Sequence, residues 1–171
     1  IATNENNWVF DLKGNQIFGI IFFSKKGELP HYKLELEKLD IQPIQNITKD
    51  KELSHNPPNI DGSIKSLIFR NRELGELNFK LSNEGHISRL ESFDLNSEEI
   101  SIAMEGAWER NTALTSGKID ASGENLPAIL SLIKVELAGL EANRSTFSLD
   151  GRWKGSPYDF EFANMEGTLN F

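Results

Sequence analysis

Residues 32–37 read Tyr32-Lys33-Leu34-Glu35-Leu36-Glu37, an unbroken alternation of apolar and charged side chains. Successive side chains of a strand point to opposite faces, so this segment is a β-strand with one oily and one charged side. The same period of two returns along the chain. Trp8, Phe10 and Leu12 follow it, as do Leu67 and Phe69, then Leu77, Phe79 and Leu81. Ile100, Ile102 and Met104 come next, then Phe147 and Leu149, and finally Tyr158, Phe160 and Phe162. One apolar and one polar face per strand suits an antiparallel meander, not a sheet buried on both sides.

Turn residues cut these runs at short intervals. Gly14-Asn15 reads as a hairpin, Lys26-Gly27 precedes Pro30, Asn83-Glu84-Gly85 parts two strands, and Gly155-Ser156-Pro157 ends the strand that carries Trp153. The count is about eleven strands. One helix is expected over 126–138: Asn125 is a good N-cap, Pro127 suits the first turn, and Leu126, Ile129, Leu130, Ile133 and Leu137 share a face. It would cover part of the apolar face or plug a sheet edge. Breakers and charges in Gln42-Pro43, Lys49-Asp50-Lys51-Glu52 and Asn56-Pro57-Pro58-Asn59 mark a loop over 45–57. That loop separates a first strand group, 1–44, from a second segment, 58–171. Gly106-Ala107-Trp108 and Gly151-Arg152-Trp153 form a faint repeat, each followed by a strand with a glycine, Gly117 and Gly167; Trp8 with Gly19 is a degenerate third instance.

The chain has 171 residues, 38% hydrophobic, with a net charge of −8 and no cysteine. That composition is globular. An acidic surface repels phosphate backbones, so nucleic acid is not a partner. Without cysteine there is no disulfide frame, thiolate zinc site or cysteine nucleophile. No run reaches the roughly 20 apolar residues of a membrane-spanning helix. Ile1-Ala2-Thr3 lacks a leader pattern and Phe171 falls inside a strand-like run, so both ends read as cut from a longer protein.

Chemistry-bearing motifs are missing. His31, His55 and His86 stand apart, with no ligand spacing for a metal. No nucleophile elbow, phosphate loop or dinucleotide fingerprint occurs. Asp159 and Glu161 alternate with Tyr158, Phe160 and Phe162, which puts them on the solvated side of a strand. An enzyme is therefore not expected, nor a cofactor or metal. The aromatic positions Phe10, Phe22, Phe69, Phe79, Phe147, Phe160 and Phe162 carry the information. From the residues alone they form either the closed core of a sandwich or the lining of an open groove.

The stretch from Phe147 to Phe171 decides between these by resemblance. Trp153-Lys154-Gly155-Ser156-Pro157, then Asp159-Phe160, then Glu166-Gly167-Thr168-Leu169, resembles the C-terminal region of the YhdP/AsmA-like family. Upstream, Asn56-Pro57-Pro58-Asn59-Ile60, Leu74-Gly75-Glu76-Leu77 and Met104-Glu105-Gly106-Ala107-Trp108 agree; the likeness covers 58–171 well and 1–44 loosely. The resemblance implies an elongated antiparallel sheet curled into a U-shaped groove, in the periplasmic part of a protein anchored in the inner membrane of Gram-negative bacteria. It implies phospholipid carriage toward the outer membrane, no catalytic residues, and a structural role for the Gly-Ser-Pro turn. The groove lining would comprise Phe10, Leu12, Phe22, Leu34, Leu36, Leu67, Phe69, Leu77, Phe79, Ile100, Ile102, Phe147, Leu149, Phe160, Phe162 and Leu169. Its partners would be phospholipid acyl chains, the rest of the full-length chain and envelope proteins. A structural or protein-interaction module of the envelope is the competing expectation.

Overall fold

A computed structural model of the chain describes residues 2–4, 7–25, 29–41, 57–124 and 145–170. Eleven strands follow in chain order: β1 (Ala2–Asn4), β2 (Asn7–Lys13), β3 (Ile17–Ser24), β4 (His31–Ile41), β5 (Asn59–Phe69), β6 (Arg72–Glu84), β7 (Ile87–Asn96), β8 (Ile100–Glu109), β9 (Leu114–Gly123), β10 (Ser145–Lys154) and β11 (Glu166–Asn170). They hydrogen-bond in the same order, as one open sheet whose two edges do not meet. The expected helix over 126–138 lies outside the described residues, as does the expected loop over 45–57 apart from Pro57. The strands on either side of that loop, β4 and β5, are direct neighbours in the one sheet.

Each neighbour is antiparallel except one. β4 and β5 pair in parallel, His31 opposite Asn59 through Ile41 opposite Phe69. The antiparallel reading holds for the other nine neighbouring pairs, and this one departs from it. Ile41 and Asn59 stand at opposite ends of the pair. A parallel neighbour needs a crossover of about a dozen residues or more, which no hairpin can supply. A long polar loop announced the crossover in sequence, but not the direction of what followed it.

Bulges give the sheet its curl. Register slips on β3–β4 at Phe18/Gly19, on β5–β6 near Leu67, on β6–β7 at Lys80/Leu81 and on β7–β8 between Leu90 and Phe93. An extra residue on one strand bends it and raises the local twist. The curled sheet buries its concave side: Leu36, Ile64, Leu67, Leu77, Leu95, Ile100, Ile102, Ala121, Phe147 and Leu149 form the core cluster.

A second correction concerns residues 157–164. They alternate like a strand, yet they form two single turns of 3-10 helix, Pro157–Asp159 and Phe162–Asn164. Proline at the start of the first turn has no N–H to give to a sheet ladder. The Asp159 carboxylate accepts hydrogen bonds from the Ser156 N–H at 2.9 Å and the Ser156 hydroxyl at 2.8 Å, which closes the turn. Gly155 has φ +109°, and a Cβ there would press on the Asp159 side chain at 2.9 Å. The segment from Gly155 to Met165 thus leaves the sheet plane as a flap between β10 and β11.

Candidate functional site

Strand pairing arranges the concave side into three lateral rows. The first runs Leu12–Gly19–Leu36–Ile64–Leu77–Leu95–Ile102–Ala121–Phe147, each residue opposite the next. The second runs Phe10–Ile21–Leu34–Gly62–Phe79–Phe93–Met104–Ile119–Leu149–Leu169. The third runs Trp8–Phe23–Tyr32–Ile60–Leu81–Leu90–Gly106–Gly117–Gly151–Gly167. None of these positions is charged. Strands stand about 4.8 Å apart, so the apolar surface from β2 to β10 runs about 40 Å at right angles to the strands.

The convex side has the opposite character. A row on it reads Asp11–Ile20–Glu35–Ser63–Asn78–Asp94–Ala103–Asp120–Ser148–Asn170. Ion pairs cluster there: Lys33 with Glu35 at 2.6 Å, Lys80 with Glu91 at 2.6 Å, Lys65 with Glu37 at 2.9 Å and Lys118 with Asp120 at 3.1 Å. Hydrogen bonds from Lys80 and then Ser82 hold the Glu91 carboxyl below its usual range. Such exposed pairs add little stability. They mark which side faces water.

Of the residues expected to line a groove, Leu12, Leu36, Leu77, Ile102 and Phe147 stand in the first row, and Phe10, Leu34, Phe79, Leu149 and Leu169 in the second. Leu67, Phe69 and Ile100 lie on the same side, one or two steps toward the sheet end that carries the 14–16 turn. Phe22 is the exception: it pairs with Val9 and Lys33, on the convex side, where the Lys33 ammonium lies 5.9 Å from its ring. Phe160 and Phe162 belong to the flap and not to a strand.

Sequence reading missed Ile21, Ile60, Ile64, Leu90, Phe93, Leu95 and Ile119. In β5 and β7 the bulges interrupt the alternation, so Ile64 to Leu67 and Leu90 to Phe93 are three apart while staying on one side. The Gly-x-Trp repeat takes on a meaning that its sequence did not carry. Gly106, Gly117, Gly151 and Gly167 are consecutive in the third row, and Trp108 and Trp153 flank Thr115 one step beyond. Trp8 stands in the third row and Gly19 two rows away in the first, whereas Trp108 and Gly117 lie in adjacent rows, so the third instance is not equivalent.

A cavity of about 470 Å³ opens over Gly106 and Gly117. Leu90, Met104, Ile119, Leu149, Trp108 and Trp153 wall it, and the flap side chains Phe160 and Phe162 cap it. The flap is pinned at several points. Trp153 Nε1 donates to the Ser156 carbonyl at 3.0 Å, Thr115 Oγ1 to the Gly155 carbonyl at 2.8 Å, and the Gly155 N–H to the Ala113 carbonyl at 2.7 Å. Phe160 meets the Trp153 ring edge-on at 5.0 Å and Phe162 at 5.0 Å, geometry that aromatic pairs favour. Among the described residues, no cluster of His, Asp or Glu could hold a metal ion, and no helix is long and apolar enough to cross a membrane.

An open, curled sheet with three charge-free rows along its concave side and a charged convex side defines the chain as a β-groove protein. Its sequence matches the family model described as YhdP protein over residues 1–171, so the chain belongs to the YhdP family, a group of AsmA-like envelope proteins. No curated protein and no solved structure matches it.

Proposed function

We propose that this chain is a length of hydrophobic conduit that carries phospholipid between the inner and outer membranes, with acyl chains in the trough and headgroups in water. The observation that carries this reading is the register: three rows of apolar side chains continue from strand to strand without a charge. Apolar contact is non-directional, so it retains a tail at roughly 0.8 kcal/mol per buried methylene yet lets it slide. The reading assigns no catalytic step to the chain and places it in the periplasm, with its membrane anchor elsewhere in the full-length protein. Family membership supports the envelope; the apolar trough supports the cargo.

Organic extraction of the purified protein followed by mass spectrometry tests this. Phospholipid is expected in the extract. Phe10→Asp and Leu34→Asp place a carboxylate on the trough floor, at a cost of several kcal/mol to any tail above it. Both should lose most of the bound lipid and the envelope function of the full-length protein while keeping the far-ultraviolet β signal. Phe22→Asp, on the convex side, should lose neither. Lipid-free wild type together with fully active Phe10→Asp and Leu34→Asp would overturn the reading. A structural or protein-interaction module is favoured by one observation, the exposed apolar residues Phe18 (45%) and Ile20 (36%) beside Phe22 on the convex face.

A further inference from the structure

The third row changes character along its length. From Trp8 to Leu90 it is filled with large side chains; from Gly106 to Gly167 it holds none. The trough is therefore stepped, and the flap lies over the vacated part. We propose that this space is a pocket for the end of a single hydrocarbon tail, a holding site within the conduit. The proposal rests on the conduit reading and deepens it by fixing where one tail stops and how many fit.

Gly117 carries the argument. A Cβ on Gly106 would meet the Ser116 carbonyl oxygen at 2.7 Å, and one on Gly167 would collide with that of Asp150. Over Gly151 the Met165 sulfur already lies 2.7 Å from where a Cβ would be. Close backbone packing requires glycine at 106 and 167, and at 151 the flexible Met165 side chain already fills the space. At Gly117 a Cβ would find only the Glu105 carbonyl oxygen at 3.5 Å and the Trp153 ring at 3.7 Å, ordinary contacts. Packing does not demand glycine there; its missing side chain keeps the cavity open.

Size and lining decide the occupant. A methylene takes up about as much room as a water molecule, roughly 30 Å³. A cavity of about 470 Å³ then holds about fifteen, one acyl tail and not two. The trough-side side chains around it are aliphatic and aromatic apart from the hydroxyls of Ser88 and Thr115, which already donate to Asn83 Oδ1 and the Gly155 carbonyl, while Arg89, Glu105 and Lys118 point to the convex side by strand alternation. A phosphate or sugar would find no charged partner inside. Because only the tail is read, free fatty acids and lysophospholipids of equal chain length should enter alike.

The probe is cis-parinaric acid, a fluorescent single-chain fatty acid that accepts energy from tryptophan, with Trp108 and Trp153 in the cavity wall as donors. Titration of the intact chain should give saturable transfer at about one equivalent. Gly117→Leu should weaken it by about tenfold or more by filling the cavity, and Gly117→Ala should stay within about threefold. A variant-free series covers the case in which Gly117→Leu does not fold. Saturated fatty acids that compete with the probe should gain about fourfold per methylene and then level off near about fifteen carbons. A lysophospholipid and a fatty acid of the same chain should compete within about threefold. Unchanged transfer in folded Gly117→Leu, affinity still rising at about twenty-two carbons, or a headgroup-dependent gap beyond about tenfold would each overturn the pocket and leave the conduit standing. A wild type that binds no tail would remove both.

Discussion

Gly19 and Gly117 both face the trough, and exchange for alanine separates what they do. Gly19 has φ +142° at a register slip, and a Cβ there would collide with the Glu35 carbonyl oxygen. Gly19→Ala should cost about 2–3 kcal/mol of stability by backbone strain and displacement of β4, whereas Gly117→Ala should stay within about 0.5 kcal/mol. Equilibrium denaturation of the two variants reads the difference directly; equal costs would contradict the packing described. The residue scale is also where sequence reading fell short. Phe22 lies in the run Ile17-Phe18-Gly19-Ile20-Ile21-Phe22-Phe23, which is apolar on both sides, so no alternation fixes its parity. Only the pairing of Gly19 with Leu12 and Leu36 places Ile21 inside and Phe22 outside.

At the scale of elements, the flap between β10 and β11 differs from the strands beside it. Few of its contacts are buried, and Tyr158 is 82% exposed. Its shape rests on the Asp159 carboxylate, the Trp153 indole N–H and the Thr115 hydroxyl. Segments held by a few partly exposed hydrogen bonds open below the global unfolding free energy. Asp159→Ala removes two of those bonds, worth about 1 kcal/mol together at such an exposed site. Amide exchange at Ser156 and Asn164 should speed up by about fivefold, with the global unfolding midpoint nearly unchanged. A change confined to the midpoint, with flap exchange unaltered, would contradict the flap as a separate element. In sequence the same residues passed for a strand because Tyr158, Phe160 and Phe162 alternate; instead Phe160 packs against Trp153 and Phe162 against Phe160, while Tyr158 stays exposed.

For the whole molecule, the alternation in β2, β4, β6 and β8 was enough to give a one-sided β-sheet of about eleven strands. Its continuity was not legible, because register depends on turn lengths, bulges and the one parallel crossover, none of which alternation encodes. Continuity is what makes a trough of the separate apolar faces. The glycine step under the flap likewise arises only when Gly106, Gly117, Gly151 and Gly167 come into line.

A conduit requires that the concave rows, and not the convex ones, hold lipid tails along the sheet. A photoreactive amino acid placed in the full-length protein at positions 34, 93 and 119 probes the second row in β4, β7 and β9, while positions 33, 94 and 118 are their neighbours on the opposite side. Irradiation in living cells should link phospholipid at all three concave positions and at none of the convex ones. Equal labelling of both sides, or lipid at neither, would contradict the conduit.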